Sequence, residues 1–472
     1  MAPIRFLLNG EMRSEDRVSP TTTVLDYLRG TARLTGAKEG CAEGDCGACT
    51  IAIGETRNGA AHYRAVNSCL MMLPQLDGCD IVTVEGLAKE DGSLHPVQQA
   101  LAEADATQCG FCTPGFAMAM FAFAQGGEAG SDENIHDALA GNLCRCTGYR
   151  PIGEACRKIA GHPDSALAEK SVPALPPCTE YKHDEQICFL PRSLDQFLQL
   201  RASHPAALIV GGGTDLGLKL SKERERFPAV ILTNGVRELK TIATDGGALE
   251  LGGAVTYSEA LPSLDMYFPA FAALARRIGS RQIRNLGTFA GNLATASPIG
   301  DTLPCLIALG AQIALRTTTA ARTMPVEDFI LGYRKTALKP DEVIATIRIP
   351  FLPNSDRFAI YKLSKRFDQD ISTVIAAFRV TLDHGVARDF RAVYGGMAAI
   401  PKRAATLEKA LTGKTWDTQT LDGIDALLAQ DFKPMSDQRG SAAYRLRAAA
   451  NLVRRFQIET TDERALARVE AL

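Results

Sequence analysis

Gly40-Cys41-Ala42-Glu43-Gly44-Asp45-Cys46-Gly47-Ala48-Cys49, followed by Cys69, sets out four thiols as C-x4-C-x2-C and one more. A second group, Cys109, Cys112, Cys144 and Cys146, reads C-x2-C and then C-x-C across a helical interval. Eight of the thirteen cysteines thus fall into two sets of four. Four thiolates are what a [2Fe–2S] cluster takes to close. The pattern therefore predicts an electron-transfer unit with two such clusters, one held by Cys41, Cys46, Cys49 and Cys69, the other by Cys109, Cys112, Cys144 and Cys146. Structural zinc favours paired short spacings and suits the lopsided first set poorly; on that alternative the chain would be a zinc-stabilised assembly module. A disulfide framework conflicts with a reducing compartment.

The bulk properties narrow the class. At 472 residues the chain should form several domains, and 46% hydrophobic with 22% charged residues is the balance of a soluble globular protein. A net charge of -2 gives no electrostatic reason to expect nucleic acid or an anionic membrane as partner. The opening Met-Ala-Pro-Ile-Arg-Phe-Leu-Leu-Asn-Gly-Glu lacks the apolar core of a signal peptide, and no apolar run approaches the ~20 residues of a membrane span. The expected location is the cytoplasm. The histidines form no H-x-x-x-H pair, and no Ser-His-Asp set is evident.

Residues 1–80 read as a first domain. Strands flank the Asn9-Gly10 turn, the second ending near Val18, and a short helix over residues 23–28 is stopped by Gly30. A strand resumes at Thr50, and Cys69 opens an apolar helix. The first cysteine spacing is the plant-type ferredoxin one, and the module resembles the β-grasp [2Fe–2S] ferredoxin fold. Residues 81–162 carry four helix signals: residues 96–104, a helix opened by Thr113-Pro114 and stopped by Gly126-Gly127, one from Ser131, and one from Pro151 to Gly161. Both cysteine pairs precede helix N-termini, whose partial positive charge suits an anionic cluster. Met118 and Met120 read as core.

Residues 163–185, with Pro163, Pro173, Pro176 and Pro177, read as a linker. Cys178 and Cys188, like Cys79, Cys156 and Cys305, lack ligand-like spacing. Residues 186–352 hold a helix capped by Ser193 and then a buried strand over 207–210 that feeds Ile209-Val210-Gly211-Gly212-Gly213-Thr214-Asp215-Leu216. Glycines after a strand let amides approach phosphate oxygens, although taken alone the signal is weak, because a triple glycine is often just a loop. The Rossmann fingerprint is absent. A second small-residue segment over 287–298 precedes Asp301. Residues 353–472 show strands over 358–363 and 372–382, a hairpin at Asp383-His384-Gly385, and a charged loop over 364–370 between the strands. The last ~40 residues read as an amphipathic helix packed through Leu452, Val453 and Phe456.

Gln108-Cys109-Gly110-Phe111-Cys112-Thr113-Pro114-Gly115 and Asn142-Leu143-Cys144-Arg145-Cys146-Thr147-Gly148-Tyr149-Arg150-Pro151-Ile152 resemble the second-cluster signature of the molybdenum hydroxylases, the family of xanthine dehydrogenases, aldehyde oxidoreductases and carbon monoxide dehydrogenases. All eight ligand positions match. The resemblance implies a multidomain α+β chain: β-grasp [2Fe–2S] domain, four-helix [2Fe–2S] domain, a non-Rossmann α+β FAD-binding domain and a small α+β C-terminal domain. It places the helical-module cluster nearest the molybdenum, with Gln108 beside the molybdopterin. By position it assigns Ile209, Val210, Gly211, Gly212, Gly213, Thr214, Asp215 and Leu216, with Thr288, Phe289, Ala290, Gly291 and Asn292, to the FAD pyrophosphate and nearby atoms. Asp301 matches the family's acidic FAD contact and could equally cap the helix that follows; Ile344 and Lys362 fall at further contacts. Ile278 stands where mammalian members carry an aromatic. The 364–370 loop is implied near the isoalloxazine, or is simply solvated.

The molybdopterin-binding region is expected on a separate large chain, in a heterotetramer of two small and two large chains. That arrangement resembles the two-chain xanthine dehydrogenases of bacteria more than the carbon monoxide dehydrogenases, whose iron–sulfur and flavin parts are usually separate chains. The implied function is to carry electrons from hypoxanthine and xanthine hydroxylation on the partner, through both clusters and FAD, to NAD. No residue of this chain is then expected to act on the purine. An aldehyde or N-heterocycle hydroxylase, or a carbon monoxide dehydrogenase, would use the same parts.

Overall fold

The computed structural model describes residues 3–57, 60–89, 91–163 and 175–462. Pro173, much of the expected linker and residues 463–472 lie outside the described residues. Packing divides the chain into two units. The first comprises residues 1–238, 256–258 and 279–288; the second comprises 239–255, 259–278 and 289–472.

The first unit opens with a five-stranded mixed sheet in the order Glu11–Glu15, Ile4–Leu8, Asp80–Val82, Thr50–Arg57, Ala60–Asn67. Ile4–Leu8 pairs parallel to Asp80–Val82, and all other neighbours are antiparallel. Asn9 and Gly10 both hold positive φ (53° and 85°), which matches the twist of a two-residue hairpin. The second strand stops at Glu15 rather than near Val18, because both backbone groups of Val18 are taken by the Tyr181 hydroxyl. Gly30 does not end the first helix. Thr23 caps Val24–Asp26, and the chain then widens into a π-turn over Tyr27–Thr31 that buries Tyr27 and Leu28. Nor does Cys69 open an α-helix. Val24 N–H donates to Met71 O (2.8 Å) and Thr23 bridges Met72, which keeps that backbone extended until a 3-10 turn at Leu73–Leu76.

Four helices follow: Pro96–Glu103, Thr113–Gln125, Asp132–Leu139 and Arg150–Ile159. Thr113–Gln125 is apolar almost all round, as befits a helix enclosed by others. Met118 and Met120 are core, beside Phe116, Phe121 and Phe123. The loops carrying Cys109 with Cys112 and Cys144 with Cys146 end at the second and fourth helices, so each pair of the second quartet is anchored by a helix start. A four-stranded sheet completes the unit, in the order Glu180–His183, Gln186–Phe189, Ala229–Leu232, Leu208–Val210. Its last strand feeds the glycine loop.

The second unit holds an antiparallel five-stranded sheet, Ile242–Asp245, Ala248–Gly252, Val343–Pro350, Gln312–Arg316, Ala321–Pro325. A four-stranded antiparallel sheet, Asp356–Leu363, Val374–Asp383, Val386–Gly395, Lys402–Arg403, packs Phe378, Phe390 and Tyr394 against Trp416 and Phe456. Leu452, Val453 and Phe456 of the helix Ala442–Thr461 are buried in this core. Among the described residues no helix is long and apolar enough to cross a membrane.

Candidate iron–sulfur and flavin sites

The loop between the first helix and Thr50 turns through positive φ at Ala42, Gly44 and Gly47. This wraps three amides round one sulfur: Cys41 Sγ accepts from Glu43 (3.4 Å), Asp45 (3.3 Å) and Cys46 (3.3 Å) N–H. The Cys41 thiol is hydrogen-bonded to that of Cys46, and the Cys49 thiol to that of Cys69; Cys41 also lies within electrostatic reach of both Cys49 and Cys69. The bond from Cys46, helped by the surrounding amides, pulls Cys41 down to about 5, while Cys46 is pushed up.

The second quartet has the same two-by-two form. Cys109 and Cys146 are exposed with their sulfurs 3.4 Å apart. Cys112 is hydrogen-bonded to the buried Cys144, which also lies within electrostatic reach of both other thiols. Burial first, and Cys144 second, push Cys112 up to about 12. Burial would raise Cys144 too, but the Thr147 hydroxyl (3.1 Å) and N–H (3.4 Å) outweigh it and lower the thiol. Among the described residues no three His, Cys, Asp or Glu side chains converge on a single ion position. Two thiols for each of two irons is, however, the donor set of a [2Fe–2S] cluster, and both quartets fit it. The remaining cysteines, Cys79, Cys156, Cys178, Cys188 and Cys305, are buried and unbridged.

The two loops touch. Leu143 N–H donates to Cys46 O at 3.0 Å. The segment Arg281–Arg284 clamps the helical module from outside: Arg281 pairs with Glu128 and Asp137, and Arg284 with Asp137. These pairs were not readable as a motif, since each joins residues far apart in sequence; only the charge-rich Ser-Arg-Gln-Ile-Arg-Asn run hinted at them.

For the flavin, the first unit supplies a close-packed glycine loop. A Cβ on Gly212 would lie 1.8 Å from Leu286 O, and one on Gly211 would lie 2.9 Å from Thr288 Oγ1. Leu216–Ser221 then opens as a helix, with Gly217 N–H donating to Gly213 O (2.6 Å). A bare backbone at a strand end suits a pyrophosphate cradle. Ile209, Val210, Thr214 and Asp215 flank it, and Thr288 is buried beside it.

In the second unit Phe289 and Ala290 are buried at the start of Phe289–Thr295, with Gly291 exposed, and Asn292 Oδ1 accepts from Thr302 Oγ1 (2.5 Å). Asp301 stands at the helix start without a side-chain cap bond. Its carboxylate is instead taken by Lys362 Nζ (2.7 Å) and Ser372 Oγ (2.5 Å). The cap alternative is therefore not the role of this side chain. The ion pair is almost fully buried, the Lys362 side chain 2% and the Asp301 side chain 9% exposed. Ile344 is buried in its strand and Ile278 is half-buried. The Arg277 guanidinium lies 4.4 Å from the Phe367 ring of the 364–370 loop.

Four family models match in sequence: a 2Fe-2S iron-sulfur cluster binding domain (residues 6–73), a [2Fe-2S] binding domain (83–157), the FAD binding domain in molybdopterin dehydrogenase (181–352) and the CO dehydrogenase flavoprotein C-terminal domain (359–460). Xanthine dehydrogenase of Emericella nidulans is 33% identical over 96% of this chain and 38% of its own. Xanthine dehydrogenase/oxidase of Gallus gallus is 31% identical over 90% and 38% respectively. The chain thus spans little more than a third of these relatives. Among solved structures, carbon monoxide dehydrogenase from Hydrogenophaga pseudoflava aligns with a TM-score of 0.54 at 26% identity, covering 57% of this chain and 94% of that one. Quinoline 2-oxidoreductase from Pseudomonas putida 86 aligns at 0.53, with the same identity and coverage. This chain belongs to the molybdenum hydroxylase family of oxidoreductases and carries its iron–sulfur and FAD electron-transfer module.

Proposed function

We propose that this chain is the electron-transfer subunit of a xanthine dehydrogenase, relaying electrons from a large molybdopterin-bearing partner through two [2Fe–2S] clusters and FAD to NAD, in the cytoplasm and within a heterotetramer. The observation that carries it is one continuous match to xanthine dehydrogenases across both cluster modules and both flavin domains. Cys41, Cys46, Cys49 and Cys69 hold one cluster; Cys109, Cys112, Cys144 and Cys146 hold the other. The exposed Cys109 and Cys146 give the second cluster access to a partner, with Gln108 beside them. FAD, when bound, supplies the link between one-electron traffic and two-electron exchange with a nicotinamide.

This chain's residues then bind and orient. The glycine loop over 209–216 and residues 288–292 receive the pyrophosphate, and Ile344 and Lys362 make further contacts. Ser372 and Lys362 fix the orientation of the Asp301 carboxylate for a polar contact with the cofactor. The domains run over 1–80, 81–162, 186–352 and 353–472. The test is to purify the chain with its large partner and assay xanthine, aldehydes, quinoline and carbon monoxide with NAD as acceptor. Turnover of xanthine with NAD is expected; a complex that oxidises only one of the others would overturn the substrate assignment. A chain that binds neither iron nor flavin after anaerobic reconstitution would overturn the whole reading. The solved relatives named for carbon monoxide and quinoline are what favour the second reading.

A further inference from the structure

Gly47 lies between two ligand candidates of the first quartet, and its carbonyl oxygen is unusually heavily used. It accepts the Thr50 N–H (3.0 Å), the Thr50 hydroxyl (2.6 Å) and the Asn142 side-chain amide (3.0 Å). Thr50 and Asn142 are buried, at 1% and 2% exposure. Asn142 belongs to the other module, two residues before Cys144. Its own oxygen accepts from Gln282 Nε2 (2.8 Å), and Gln282 is completely buried. The fit leaves no slack, since a Cβ on Gly47 would come within 2.5 Å of Asn142 Nδ2.

The far side of the same peptide unit faces the candidate cluster. Its N–H, that of Ala48, donates to the Cys46 sulfur. Donors gathered on a carbonyl polarise the peptide and make its N–H a stronger donor. Hydrogen bonds to cluster sulfurs are among the determinants of reduction potential. An N–H favours the more negative, reduced cluster by simple electrostatics, so a stronger one raises the potential. We infer that Asn142 is a positioning residue that raises the reduction potential of the cluster held by Cys41, Cys46, Cys49 and Cys69, acting from the second module through the Gly47–Ala48 peptide. The inference rests on the proposed ligation of that cluster.

The test is a redox titration of the full chain and of Asn142→Leu and Thr50→Val, following each cluster's EPR signal alongside iron and sulfide analysis. Each substitution removes one side-chain donor from the same carbonyl, so both should move the same cluster in the same direction. The expected result is full iron content and a two- to tenfold shift of the one-electron equilibrium toward the oxidised form, reaching about 59 mV at tenfold. In Thr50→Val the second cluster keeps its potential. Unchanged potentials in a variant that retains both clusters overturn the inference, and so does a shift confined to the second cluster. Wild-type chain with only one cluster's iron and signal would instead refute the ligand reading on which it rests. Should Asn142→Leu not fold, Asn142→Ala removes the same donor with less bulk and takes its place, while Thr50→Val tests the route through the shared carbonyl.

Discussion

Two glycines that follow ligand cysteines separate backbone conformation from close packing. Gly47 and Gly110 hold φ of +68° and +80°. Alanine at either position enters the left-handed region, at a cost of roughly 1–2 kcal/mol. Their surroundings differ completely. A Cβ on Gly110 meets nothing within 4 Å, whereas one on Gly47 falls 2.3 Å from Gly141 O. That neighbour is main chain, so relief requires moving the loop that carries Cys144, and overpacking of this kind adds about 1–3 kcal/mol. Gly110→Ala should therefore lose about 1–2 kcal/mol, and Gly47→Ala roughly 2–5 kcal/mol by summing the same two costs. The assay is urea denaturation of the reconstituted chain, followed by bleaching of its visible absorption, with iron counted before each run. Gly47→Ala should bleach at clearly lower urea and affect both quartets. Equal midpoints for the two variants would show that the loops are not in the tight register described, and the reasoning would fail.

Replacing Asp301 with alanine should strip flavin and leave the buried Lys362 ammonium without its carboxylate, a loss on the order of 3–5 kcal/mol when one member of a buried pair is removed; the flavin-to-iron ratio reads it, and a variant with full flavin would remove Asp301 from the cofactor site. Burial alone would raise the Asp137 carboxyl, but Arg284 and Arg281 outweigh it and hold it below its ordinary value. A depressed folded-state value means stabilisation that is complete above the unfolded carboxylate range, near pH 4, and fades as pH falls through the lower folded value. The stability gap between wild type and Asp137→Asn should accordingly be largest near neutrality and close below about pH 4 in acid denaturation. Burial also raises the thiols of Cys156, Cys178, Cys188 and Cys305. In iron-free native chain a thiol reagent should label Cys109 and Cys146 first and these four only after denaturation, as mass spectrometry would show.

Legibility in the sequence followed the range of the forces. The hairpin at Asn9-Gly10 and the helix start capped by Ser131 are set by local backbone chemistry and stand where their residues place them, whereas Thr113, expected as a cap, is already the first helical residue and Cys112 takes the cap position. The cysteine spacing was equally readable, and within each quartet the thiols stand in hydrogen-bonded pairs. What escaped were outcomes decided by distant partners. Val18 leaves its strand because Tyr181 takes its backbone, and the residues after Cys69 stay extended because Thr23 and Val24 pair with them. Asp301 had two local readings of equal merit. Lys362 and Ser372, far along the chain, take the carboxylate away from the cap.

The same distinction explains why glycine, more than any reactive side chain, marks the junction of the two cluster loops. Cys46 O receives Leu143 N–H, and a Cβ on Gly115 would strike Gly47 O at 2.3 Å, as one on Gly47 would strike Gly141 O. Main chain therefore meets main chain at three places, and side-chain bulk is excluded from the two that glycine makes. Contacts of this kind fix the spacing of the two quartets without depending on the identity of exposed neighbours such as Leu143. Electron exchange between centres depends on that spacing far more than on any one reactive group. A relay needs its geometry held by something that neither titrates nor rotates, and in this chain the peptide backbone does so, with Asn142 and Gln282 as the buried side chains that lock it.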